Sequence, residues 1–99
     1  MTESQVHGML AQAIDLDGLR DLFPGDIADT LRKVVAGVLS MLGDLSDEQK
    51  QAVLDAVKSF YDNYVRPLDI PYIPAIAEKY VDDYIWLSIE SLLKSRLGL

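Results

Sequence analysis

The sequence contains no cysteine. Disulfides, thiolate metal ligands and a cysteine nucleophile are therefore excluded. The same absence fits a reducing compartment, so a cytoplasmic location is expected. Histidine occurs once, at position 7. Glu3 and His7 stand four apart and can share a helical face, but two ligands fall short of a metal site. A solvent-facing histidine near the terminus is the simpler expectation. Any serine nucleophile would have to use this one histidine, and no Gly-x-Ser-x-Gly elbow is present.

Basic residues are scarce. Nine lysines and arginines oppose sixteen acids, giving a formal net charge of -7. The longest basic run is Arg32-Lys33, so the cationic face that neutralises phosphates is missing and no nucleic-acid partner is expected. The same sign disfavours anionic membrane surfaces. The start Met1-Thr2-Glu3-Ser4-Gln5 lacks the basic opening and apolar run of a signal peptide. Val34 to Gly43 is far short of the roughly 20 apolar residues of a membrane span and holds two glycines. Glycines are scattered singly, so no phosphate-cradling loop or dinucleotide fingerprint exists.

Apolar residues, by contrast, make up 49% of the 99 residues, enough for one domain with its own core. Their spacing is helical. Val6, Met9, Leu10, Ala13 and Ile14 predict a first helix from about Ser4 to Ile14. Leu16, Leu19, Leu22 and Phe23 mark a short helical turn facing inward, and Phe23-Pro24-Gly25 breaks it. Asp26 is the expected cap of a second helix whose stripe is Ile27, Leu31, Val34, Val35, Val38, Leu39, Met41 and Leu42, stopped by Gly43. Ser46 and Gln49 have the spacing of a capping box. A third helix follows to about Val65, with Val53, Leu54, Ala56, Val57, Phe60, Tyr61 and Tyr64 inward, and the short connection predicts a central hairpin with the second.

Residues 66–74 hold Pro67, Pro71 and Pro74 and cannot form a regular helix. Leu68, Ile70, Tyr72 and Ile73 are too apolar for a solvated linker, so an extended strap packed across the helices is expected. The last helix starts near Pro74 or Ala75 and ends at Gly98. Its first half shows Ile76, Ala77, Tyr80, Val81 and Tyr84 on one face, with Glu78, Asp82 and Asp83 opposite. Further on, Ile85, Trp86, Ile89, Leu92, Leu93 and Leu97 spread around the helix. The fold expected is thus all-α: a single domain over residues 1–99, a small bundle of about four helices with the strap before the last.

Acidic chemistry yields little. Counted from Asp15 as a calcium loop, position five is Leu19, position six Arg20 and position twelve Asp26, which fails the pattern at three places. Asp82-Asp83, on the expected polar face, should be two ordinary solvated carboxylates rather than an acid–base pair. Ser40 and Ser91 lack the preceding aspartate of an acyl carrier's modified serine and fall inside helices. No catalytic residue, metal site or cofactor is indicated.

The remaining feature is aromatic. Every aromatic except Phe23 lies between Phe60 and Trp86. Most of these are expected to join the last two helices in the core. The leading expectation for function is a non-catalytic protein-interaction module that self-associates, as a homodimer, through the last helix. Its contact residues would be Trp86, Ile89, Leu93 and Leu97, with Tyr72 on the strap. The alternative is a ligand-binding bundle or enzyme with a pocket lined by Tyr61, Tyr64, Tyr80 and Tyr84. A regulator whose acidic face meets a basic partner is the third reading.

Overall fold

The computed structural model describes residues 3–68 and 73–99. Among these, the regular structure is helical and no strand occurs: α1 (Glu3–Ala13), α2 (Leu16–Leu19), α3 (Pro24–Leu42), α4 (Asp47–Phe60) with a π-helical turn after it (Tyr61–Val65), and α5 (Ala75–Leu97). The all-α bundle expected from the apolar spacing is what forms.

Local chemistry sets most boundaries. α1 gives way at Asp15, whose side chain accepts the Gly18 N–H at 3.1 Å and caps α2. An added Cβ at Gly18 would lie 2.8 Å from the Asp15 carboxylate, so a larger residue there would displace the capping side chain. α3 starts two residues before the expected Asp26 cap. Phe23 is its extended N-cap and Pro24 opens the first turn, where proline loses no hydrogen bond and has a helical φ already. Gly43 closes α3 with φ of 71°, a value that favours glycine. At α4 the capping box is complete: the Gln49 N–H donates to Ser46 Oγ (3.2 Å) and the Ser46 N–H donates to Gln49 Oε1 (2.9 Å).

Packing pairs α3 chiefly with α5 and α1 with α4. The expected α3–α4 hairpin is not the main contact, despite its short connection. The core runs along these pairs. Val6, Leu10 and Ile14 meet Val53, Ala56, Val57 and Phe60, while Ile27, Leu31, Val35 and Val38 meet Ile85, Ile89, Leu93 and Leu97. Each large aliphatic buried this fully contributes about 1.5–3 kcal/mol. Phe23 and Met41, both expected inward, are exposed instead.

α4 changes pitch at its end. The Arg66 N–H donates to Tyr61 O at 2.8 Å, a bond spanning five residues. The wider turn carries Val65 inward after Phe60 and Tyr61, and leaves Tyr64, expected in the core, about half exposed. Beyond it, Arg66 and Pro67 form a turn. Leu68 and Ile73, the described apolar residues of the 66–74 stretch, pack against the core from either end. Tyr72 lies outside the described residues. α5 is about 34 Å long at the standard helical rise. It ends at Gly98, left-handed with φ of 72°.

Candidate interaction surface

α5 carries apolar side chains on two opposite faces, and only one of them finds a partner in the fold. The inner face holds Ile85, Trp86, Ile89, Leu93 and Leu97, all buried. Four of these, Trp86, Ile89, Leu93 and Leu97, were expected to form an exposed contact surface. The structure corrects that expectation: they are core residues, covered by α3 and by the end of α4. Trp86 is held by a specific stack. The Tyr61 ring lies 5.5 Å from it and the Lys58 ammonium 5.1 Å over it. Nothing of this group is left for another molecule to touch.

The outer face holds Ile76, Tyr80, Tyr84 and Leu87, with relative exposures of 87%, 75%, 64% and 59%. Spacings of four, four and three put them in one line along the helix. Three of these, Ile76, Tyr80 and Tyr84, were expected inward. The phase of the first half of α5 is therefore the reverse of the sequence reading. Two apolar stripes of nearly equal length compete for the core on this helix, five residues over 85–97 on the inner one and four over 76–87 on the outer. The inner stripe, with Trp86 and one residue more, buries more area, and the two tyrosines in the middle of the outer one tolerate water through their hydroxyls.

The same inversion buries Asp82, which was expected on a solvated face. It is 7% exposed. Burial pushes its carboxyl up to about 6, with Arg66 opposing and Glu78 and Asp83 adding to the rise. Around it a polar junction ties the π-helical turn to α5. The Tyr61 hydroxyl donates to the Asp82 backbone carbonyl at 2.7 Å. Arg66 donates from Nε to Asp62 (3.1 Å) and from Nη1 to Asp83 (2.9 Å) while lying 5.3 Å over the Tyr61 ring. Burial works against the guanidinium charge, but those two carboxylate bonds hold its pKa above the usual value. Burial likewise raises the Tyr61 phenol, with Asp82 adding to the effect. In this junction the Arg66 cation is taken up by Asp62 and Asp83, and the Tyr61 hydroxyl by the Asp82 backbone. The nearby cavity, between Leu19, Ile27, Val65 and Ile85, is only about 10 Å³, room for one water and no substrate.

The four tyrosines proposed as a pocket do not converge. Tyr61 is enclosed against Trp86, and Tyr80 and Tyr84 stand in solvent on the outer face of α5. Tyr64 stacks on Phe60 at 4.9 Å between ring centres. It shares an open depression of about 330 Å³ with His7, Gly8 and Leu16. His7 is not the free terminal histidine expected. It is half-buried, with Nε2 2.9 Å from the Ala56 carbonyl and its ring edge-on to Phe60. A carbonyl only accepts, so Nε2 carries the proton. Glu3 lies 3.9 Å from the same nitrogen. Among the described residues, no group of three or more histidine, aspartate or glutamate side chains is arranged to hold a metal, and no helix is long and apolar enough to cross a membrane.

No protein-family model, no curated protein and no solved structure matches this chain.

Proposed function

We propose that the chain is a non-catalytic helical interaction module that self-associates through the outer face of its last helix. The observation that carries this reading is the line Ile76, Tyr80, Tyr84 and Leu87, four large apolar or aromatic side chains held in water on a regular helix. Aromatic anchors on a rigid element are what interfaces use. The two tyrosines alone offer on the order of 200–300 Å². A standard interface buries about 800 Å² on each partner, so the stripe forms the centre of a contact whose rim comes from the helix flanks.

Charge separates this reading from the acidic-regulator alternative. Two copies, each at -7, repel one another, so added salt strengthens self-association by screening. A basic partner behaves in the opposite way. Sedimentation velocity from 5 to 200 μM, at low and moderate salt, is the test. A dimer fraction that grows with concentration and with salt is the expected result. A monomer throughout that range contradicts the proposal. The Tyr64–His7 depression keeps a ligand-binding reading in view. A thermal-shift panel of metabolites tests it, with stabilisation by one compound class that is lost on Tyr64→Ala favouring the pocket.

A further inference from the structure

We infer that two copies pair α5 against α5 in antiparallel fashion, about a two-fold axis passing between Tyr80 and Tyr84. The inference rests on the self-association proposed above and adds its direction and register. The spacing of the stripe is nearly the same read in either direction. Reversed about position 82, it lays Tyr80 on the partner's Tyr84 and Ile76 on the turn that carries the partner's Leu87. Apolar ends meet apolar ends, and the phenol rings stack across the axis. A two-fold contact of this kind is self-complementary and closes on itself, with no exposed end to propagate.

The flanks decide the direction. Projected on a helix of 3.6 residues per turn, Lys79, Asp83 and Glu90 border the stripe on one side, and Ala77, Ser88 and Ser95 on the other. An antiparallel two-fold brings like flank to like flank, so Lys79 comes within two residues, about 3 Å along the helix, of the partner's Asp83, and the pair forms twice; the two Asp83 carboxylates come equally near one another across the axis, each already held by its own Arg66. A parallel pair instead sets the charged flank against the alanine and serine flank, where no ion pair can form. Lys79 is exposed and has no ion pair among the described residues, while Asp83 keeps a half-exposed carboxylate beyond its bond to Arg66. Pairs of this sort fix orientation more than affinity.

The absence of cysteine makes the register directly measurable. Ile76→Cys and Leu87→Cys chains are oxidised separately and as an equal mixture, with Gln51→Cys on the exposed side of α4 as the collision control. In the antiparallel register positions 76 and 87 of opposite copies meet. The two copies of position 76 lie about 18 Å apart along the helix, beyond disulfide reach. The expected result is a 76–87 mixed disulfide at least tenfold above either self-disulfide and above the control. Lys79→Glu lowers that yield threefold or more, and circular dichroism of the exposed-site variants stays unchanged. Dominant 76–76 and 87–87 products, with a dimer still seen by sedimentation, overturn the register and leave self-association standing. Yields no higher than the control together with a monomer in sedimentation overturn both.

Discussion

The two faces of α5 carry similar chemistry in opposite surroundings. The inner face has Trp86, three long aliphatics and Ile85 under α3 and α4; the outer face has two tyrosines, an isoleucine and a leucine in water. Hydrophobicity alone does not tell them apart. What separates them is the cover that α3 and α4 lay over one of them and the polar anchoring at its start. The inner stripe continues to Leu97. It is pinned at its start by the Tyr61 hydroxyl on the Asp82 carbonyl and by Arg66 bridging Asp62 and Asp83. The lesson is that an apolar helix face becomes core through what the rest of the chain can bring to it. A second face then stays available for another molecule.

Four substitutions test this division, beginning with the largest effect. Leu93 has no exposed surface, so Leu93→Ala on the inner face is expected to lower unfolding free energy by about 2–5 kcal/mol, read from urea denaturation. A loss below about 1 kcal/mol would break the assignment of that face to the core. Asp82→Asn comes next. The folded pKa of about 6 lies above the ordinary 3.8, so the native state binds more protons than the unfolded chain between those values. Stability from this group is therefore full below about pH 4 and is lost as pH rises through 6. The asparagine variant is expected to be more stable at pH 7.5 by on the order of 1 kcal/mol, and to flatten the stability profile between pH 4 and 6.5. An unchanged profile would show that Asp82 is solvated. The smallest effect on the fold belongs to the outer face. Tyr80→Ser and Tyr84→Ser are each expected to shift stability by no more than about 0.5 kcal/mol when measured at a concentration where the chain is monomeric. A larger loss there would mean the outer stripe supports the monomer itself.

Much of the fold was legible from local sequence, and the errors share one cause. Gly43, Ser46, Gln49, Pro74 and Gly98 act on their own backbone, and the helix ends they mark are where the spacing placed them. The one misplaced cap, Asp26 for Phe23, came from favouring an acceptor side chain over a proline already set for the first turn. The phase of α5 is different in kind. Helical periodicity names the residues that share a face, but a helix with two apolar faces gives no local signal for which one turns inward. Extent gave no signal either, since positions 85–97 and 76–87 cover nearly the same number of turns; the inner set differs in holding five residues, Trp86 among them, to the outer set's four. Once the phase was reversed, Asp82 moved from water to the core and Trp86 from surface to interior. Both shifts follow from that single rotation. The π-helical turn after Phe60 also left no mark in the spacing, since it moves Tyr64 outward by widening one turn rather than by changing any residue type.

In the self-association proposed here, the outer face of α5 is where this chain meets another copy of itself. Amide and tyrosine-ring NMR shifts recorded during dilution from 500 to 5 μM test that most directly. Pairing through this face should give concentration-dependent shifts concentrated at Ile76, Tyr80, Tyr84 and Leu87, with the inner residues Ile85, Ile89 and Leu93 unmoved. Spectra that do not change on dilution, or changes centred instead on Met9 and Met41, which line an open depression between α1 and α3, would rule it out.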